Sequence, residues 1–147
     1  MRATLKRATS LGWDKAKGEW HHGPTGNRGL MLTLPVPPSA NRWWRLWRNR
    51  MVLSLEARQY KAALSHVLFR VRSAMIRPPQ TVSVTLFWFR QRKQGDLDKR
   101  FGVALDALQG LAYLNDSQVI RIVADRVDCS ETEQARLEVF VSALGTG

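Results

Sequence analysis

Apolar residues recur along this chain in two periods, and the switches between them mark out its elements. Leu30-Met31-Leu32-Thr33-Leu34 is a short apolar run that predicts a strand. It stops at Pro35-Val36-Pro37-Pro38-Ser39, where prolines remove backbone donors and hold the chain extended. From Leu55 the spacing turns helical: Leu55, Tyr60, Leu64, Val67, Leu68, Val71 and Met75 follow Ser54, a good N-cap, with Glu56 in the first turn. Pro78-Pro79 ends that segment. Residues 81–89 then alternate, with Val82, Val84, Leu86 and Trp88 on one side, and predict a central strand. A second helix is predicted over about 98–111, with Phe101, Ala104, Leu105 and Leu108 on one face and its exit at Gly110 and Tyr113-Leu114-Asn115. Residues 119–127 alternate again, with Asp125 and Asp128 toward solvent. Glu131 and Glu133 form a turn, and residues 136–144 close the sheet.

Two stretches stand outside these periods. Asn41-Arg42-Trp43-Trp44-Arg45-Leu46-Trp47-Arg48-Asn49-Arg50 interleaves four arginines with three tryptophans and predicts a strand or hairpin arm running into Met51-Val52-Leu53. Such an arm holds phosphates through its arginines and stacks exposed indoles on bases or sugars. The competing reading places the tryptophans in the core or at a dimer interface. Residues 1–28 show no sustained period and read as a flexible or loosely docked basic extension, with partial packing open to Trp13 and Trp20. Residues 29–147 form the domain. The order strand, arm, helix, strand, helix, strand, strand predicts a mixed α/β (α+β) single domain, a small mixed sheet packed by two helices.

Charge adds a partner to this outline. With 23 Lys+Arg against 12 Asp+Glu, the net charge is +11, of which +4 lies in residues 1–28 and +7 in the remainder. The domain itself is therefore basic, and nucleic acid is the first candidate partner. No apolar stretch approaches the roughly 20 residues of a spanning helix, so a membrane is not expected. The start of the chain has no apolar segment of secretory type, and a single cysteine, Cys129, leaves no internal disulfide. Both fit a cytoplasmic protein.

Against that basic background, Asp96-Leu97-Asp98 is an anomaly. The pair follows the basic run Arg90-Gln91-Arg92-Lys93, and Asp116 returns eighteen residues after Asp98. In extended geometry Asp96 and Asp98 point the same way, because side chains alternate with period two. A helix of three to four turns is expected to bring the chain back toward them at Asp116. Three carboxylates suit a hard cation such as Mg²⁺ and leave positions for water and phosphate oxygens. The plainer reading is that Asp98 caps a helix. Asp106, on the same helix, is expected to be exposed or hydrogen-bonded and is the best substitute ligand. His21, His22 and His66 read as solvated or packing residues.

Several separated motifs, in order, resemble one family. Leu34-Pro35-x-Pro37-Pro38-Ser39-x-Asn41-Arg42, Gly95-Asp96-Leu97-Asp98, Asp106-Ala107-Leu108 and Asn115-Asp116-Ser117-Gln118-Val119 are similar to the RusA family of Holliday-junction resolvases, over about residues 30–144. The resemblance implies a small homodimeric endodeoxyribonuclease, of a kind often carried by phages and prophages. It implies binding of four-way DNA junctions and cutting of two opposing strands with Mg²⁺, or Mn²⁺, in recombination and repair. It places the metal-binding carboxylates on Asp96, Asp98 and Asp116. Arg42, Arg45, Arg48, Arg50, Arg90, Arg92, Lys93 and Arg100 are the expected DNA contacts.

One departure stands inside the motif. The family's Asp-Leu-Asp-Asn is followed three positions later by a catalytic lysine. Here Lys99 occupies the asparagine position and Gly102 the lysine position. Residues three apart share a helix face, so Lys99 is expected to supply the missing cation, with Arg100 or Lys93 as substitutes. A catalytically weak or inactive junction-binding protein of the same fold is the alternative. A structural DNA-binding protein or a ribosomal-type RNA binder would account for the charge, but the RNA reading leaves the acidic trio unexplained.

Overall fold

Two alternating runs lie side by side at the centre of the sheet. In β5 (Gln80–Arg90) Val82, Val84, Leu86 and Trp88 are buried, and in β7 (Arg136–Thr146) Leu137, Val139, Val141 and Ala143 are. The two pair antiparallel with Leu86 opposite Val139, so both apolar sets face the same layer. Each buried branched side chain of this kind contributes about 1.5–3 kcal/mol. The computed structural model describes residues 12–23, 26–90, 97–130 and 134–146.

β2 (Arg28–Leu34) pairs antiparallel with β7 and adds Leu30, Leu32 and Leu34 to the same face. β6 (Val119–Asp128) pairs parallel with β5 and forms one edge. The other edge is β1 (Lys17–His22), antiparallel to β2, giving the order β1-β2-β7-β5-β6. Residues 12–23, read from sequence as part of a flexible or loosely docked tail, are thus built into the fold. Trp13 is buried edge-on against Tyr60 with ring centroids 5.2 Å apart, and the indole N–H of Trp20 donates to the Val71 carbonyl at 3.1 Å.

Helices cover one face of this sheet. The first long one, which follows the arm, runs Leu55–Val67. The Ser54 hydroxyl oxygen accepts from the Ala57 N–H at 3.0 Å, the cap that the sequence predicts. Its buried stripe is Ala57, Tyr60, Ala63 and Leu64, continued by Leu68 and Val71. Leu55 departs from the expected face and is exposed, because it stands two residues, about 200° around the helix, from Ala57 in the buried stripe. The second helix spans Leu97–Leu108 and buries Val103, Ala104, Ala107 and Leu108. It ends three residues before the predicted end at about 111, and Gly110 then takes φ 83°, a turn conformation open to glycine. The molecule is a single mixed α/β domain, as the element order predicts.

Candidate active site and nucleic-acid surface

β2 and β5 both pair antiparallel with β7, so they run the same way and end at the same end of the sheet. The proline segment 35–38 leaves from that end and is held from two sides. The Tyr60 hydroxyl donates to the Pro35 carbonyl at 2.6 Å, and the Arg100 guanidinium donates to the Pro37 carbonyl at 2.9 Å. Burial pushes the Tyr60 pKa up, partly offset by the Arg100 charge, and burial pushes Arg100 below its ordinary value. Arg100 also lies 4.7 Å from the centre of the Trp88 ring. Expected as a DNA contact, it is a half-buried tie between the second helix, the proline segment and β5.

Arg90 departs further from expectation. It is 7% exposed, and its Nε donates to Asp128 Oδ1 at 2.7 Å. As the next member of the Val82, Val84, Leu86, Trp88 series it points into the packed layer, so it is not a surface for DNA. Arg92, Lys93 and Asp96 lie outside the described residues, as does the side chain of Asp98. The backbone of Asp98 is in the first turn of the second helix, and Lys99 beside it is exposed.

That helix starts near the end of β5 and runs back along it, as its contacts show. Arg100 meets Trp88, whereas Leu105 accepts a hydrogen bond from the Tyr113 hydroxyl at 2.7 Å, and Tyr113 bridges Ile76 ahead of β5. Twelve helical residues rise about 18 Å. Asp116 therefore stands at the opposite end of the sheet, three residues before Val119, which pairs with Val82. The expectation that the helix returns Asp116 to its own first turn, where Leu97 and Asp98 lie, within one chain is overturned. A crossover between parallel strands begins at one strand's end and finishes at the next strand's start.

Asp116 itself is exposed on a short turn with a full capping box. Asn115 Oδ1 accepts from the Ser117 N–H at 3.0 Å, and Gln118 Oε1 accepts from the Asn115 N–H at 2.9 Å. The buried Gln118 amide also donates to the carbonyls of Gln80 (3.0 Å) and Ile76 (3.2 Å). Asn115, Ser117 and Gln118 thus fix the backbone that presents Asp116. Burial, then the carboxylates of Asp116 and Asp106, hold the Tyr113 pKa above its ordinary value. Asp106, the substitute ligand of the sequence reading, accepts from the Trp43 indole N–H at 3.0 Å and pairs with Lys61 at 3.5 Å. It is hydrogen-bonded, as expected, and ties the arm to the helix. Among the described residues no group of three or more His, Cys, Asp or Glu gathers as a metal site. The donor chemistry suits a hard cation, but one chain does not bring Asp98 and Asp116 to one ion.

The arm is a hairpin, β3 (Trp44–Trp47) with β4 (Arg50–Leu53), forming a separate two-stranded sheet. Arg48 and Asn49 take φ of 50° and 61°, the two-residue turn that matches hairpin twist. A one-turn helix, Ala40–Trp43, roots it, with Trp43 wholly buried against Tyr60. Trp44 and Trp47 are exposed, so the two readings of the tryptophans divide between them. Arg42 is paired with Glu56 at 2.9 Å, while Arg45, Arg48 and Arg50 have no carboxylate partner among the described residues.

The profile of the family described as Endodeoxyribonuclease RusA matches residues 35–142. The chain belongs to the RusA family. The crossover junction endodeoxyribonuclease RusA of Shigella sonnei (strain Ss046) is 31% identical over 120 residues, 78% of this chain and 94% of that protein. The protein of the same name from Escherichia coli (strain K12) gives the same figures. That of Enterobacteria phage 82 is 29% identical over the same shares. The RusA match opens on the proline segment and runs through the arm, the second helix and most of β7. It omits β1, which sequence reading assigned to a tail, and β2, which it read as the first strand of the domain. Tyr60 and Gln118, which fix the backbone at the two ends, were missed as functional supports. Their signal was a polar group inside an apolar stripe or next to a strand start.

No helix among the described residues is long and apolar enough to cross a membrane.

Proposed function

We propose that this protein is a metal-dependent endonuclease that resolves four-way DNA junctions, as a homodimer whose active sites each draw on both subunits. The observation that carries the reading is the Asp96-Leu97-Asp98 motif of a RusA-family chain, with the exposed Asp116 beyond the far end of the helix that begins at Leu97. Asp96 and Asp98 come from one subunit and Asp116 from the other. The sheet edge supports this: among the described residues β6 is an open edge, with Ile120 63% exposed and Ile122 also exposed. Two β6 strands paired antiparallel about a two-fold would carry Asp116 of one copy to the sheet end where the second helix of the other begins. The uncovered sheet face, with Met31 exposed and Phe87 edge-on to Phe140 at 6.0 Å, offers further apolar area for the same association.

Bound Mg²⁺ would act as a Lewis acid on a backbone phosphate and lower the pKa of a bound water. The carboxylates hold the ion, and Lys99 on the first helical turn supplies positive charge to the transition state. Arg45, Arg48 and Arg50 attract the backbone. Two sites related by a two-fold cut two opposing strands of a symmetric junction.

The test is subunit complementation. Asp98→Asn and Asp116→Asn are each expected to bind a synthetic junction without cutting it. Mixed and allowed to exchange subunits, they form heterodimers with one intact composite site and regain nicking of one strand. A mixture as inactive as its parents sinks the shared site. Cleavage unaffected by either substitution, or by EDTA, sinks the metal-dependent reading; junction binding by the native protein with no cleavage in Mg²⁺ leaves a junction-binding protein.

A further inference from the structure

The pairing register gives the arm two faces that phosphate contact alone does not use. Arg45 lies opposite Val52 and Trp47 opposite Arg50, while Trp44 lies opposite Leu53 and Leu46 opposite Met51. Cross-strand partners share a face. One face is therefore basic and aromatic (Arg45, Trp47, Arg50), and the other apolar (Trp44, Leu46, Met51). Toward the tip both are open: Leu46 is 69% exposed, Met51 63% and Trp47 45%.

The turn points the same way. Positive φ at its first central position favours glycine, asparagine or aspartate, yet Arg48 stands there and sets its guanidinium 4.4 Å from the centre of the Trp47 ring. A cation is thereby held at the apex beside an exposed indole. No Asp or Glu occurs between residues 40 and 55, so the whole arm is complementary to a polyanion. The root, by contrast, is fixed. Trp43 is buried, its carbonyl accepts from the Ser54 N–H at 2.8 Å, and the Ser54 hydroxyl donates to the Arg42 carbonyl at 2.6 Å.

A closed duplex offers phosphates and base edges, which satisfy arginines but give an indole and two large aliphatic side chains no flat surface. Base faces become available only where stacking is interrupted. We propose that the tip of the arm enters the exchange point of a branched DNA, with Trp47 stacking on a base there and Leu46 and Met51 filling the space between separated pairs. This reading rests on the junction binding proposed above and names what the arm does in it.

The probe is a four-way junction with 2-aminopurine replacing an adenine at the exchange point, or, as control, in the middle of one arm, with full-length protein in EDTA. Wild type is expected to raise fluorescence at the exchange point and not in the arm. Trp47→Ala is expected to lose most of that rise and about five- to tenfold in affinity, the worth of one stacked base, while Trp47→Phe keeps both. Leu46→Ser is expected to reduce the rise and leave the protein's mass in solution unchanged. Fluorescence in Trp47→Ala equal to wild type at saturation would overturn the proposal. So would conversion of a dimer to a monomer by Leu46→Ser, which would assign the apolar face to a second copy. Wild type that binds the junction without any rise overturns the stacking but not the resolvase reading; wild type that does not prefer the junction to duplex overturns both.

Discussion

Arg100 donates to the Pro37 carbonyl at 2.9 Å while its guanidinium lies 4.7 Å from the centre of the Trp88 ring. One side chain thus joins the first turns of the second helix to the proline segment and to the end of β5. This is a positioning role, and it separates from DNA contact by salt. A phosphate contact contributes about one unit to the dependence of log affinity on log salt. Arg100→Ala is expected to leave that slope unchanged and to lower stability by about 1–2 kcal/mol, from a charged hydrogen bond discounted for partial exposure. Arg100→Lys should recover little, since lysine lacks the planar stacking fork. A flatter salt slope at unchanged stability would return Arg100 to the DNA surface.

The two carboxylates flanking Tyr113 should part company when neutralised. Asp106 accepts from Trp43 and pairs with Lys61, so Asp106→Ala leaves a buried indole N–H without its acceptor. A cost of about 1–3 kcal/mol is expected, read as a lower urea midpoint. Asp116 is exposed and its backbone is fixed by Asn115 and Gln118. Asp116→Asn should leave the urea midpoint where it is and abolish junction cutting. Equal destabilisation by both would make Asp116 a structural residue.

Much of this architecture was legible because it follows from local rules. Pro35, Pro37 and Pro38 end β2, Ser54 starts a helix, and the parity of Val82, Val84, Leu86 and Trp88 sets a buried face. The same parity includes Arg90, but the basic run behind it made it look like surface. β1 was hidden for another reason: Lys17-Gly18-Glu19-Trp20-His21-His22 has one large apolar residue and no readable period. It holds through its ladder to β2, the Trp20 hydrogen bond to Val71, and Gly18, where a Cβ would collide with Leu32. The separation of Asp116 from Asp98 needed topology as well as spacing. Only once β6 is known to lie parallel to β5 does the intervening helix have to end at the opposite side of the sheet.

Both tyrosines of the chain report on alkaline stability. Burial is the main cause that raises each above the ordinary value of 10.0, with Asp116 and Asp106 adding to it at Tyr113. An acid with a raised folded-state pKa keeps its proton in the fold after the unfolded chain has lost it. Above pH 10 the unfolded state therefore binds fewer protons, and stability falls as pH rises. The contribution is complete below about pH 10 and is lost above it. Urea midpoints should decline on that limb, and tyrosinate absorbance should appear together with unfolding. Tyr60→Phe and Tyr113→Phe, whatever their cost at neutral pH, should flatten the decline. Tyrosinate formation in folded protein near pH 10 would contradict the burial.

Gly102 stands where the resemblance to the family places a catalytic lysine, and the structure leaves room for one there. The position is exposed in the middle of the second helix, and a Cβ there would meet nothing within 4 Å. Gly102→Lys should therefore fold, and should gain about 0.5–1 kcal/mol from replacing glycine inside a helix. Lys99 lies three residues earlier, on the same face and in the first turn. If Lys99 already provides the cation, Lys99→Ala cuts junction turnover about 100-fold, the scale of one lost transition-state donor, with binding nearly kept. Gly102→Lys in that background then restores it. Single-turnover cleavage of saturated complexes separates these effects from affinity. Full activity in Lys99→Ala would remove Lys99 from the mechanism. A large gain from Gly102→Lys in the otherwise native chain would show that the native protein cuts junctions below the capacity of its fold.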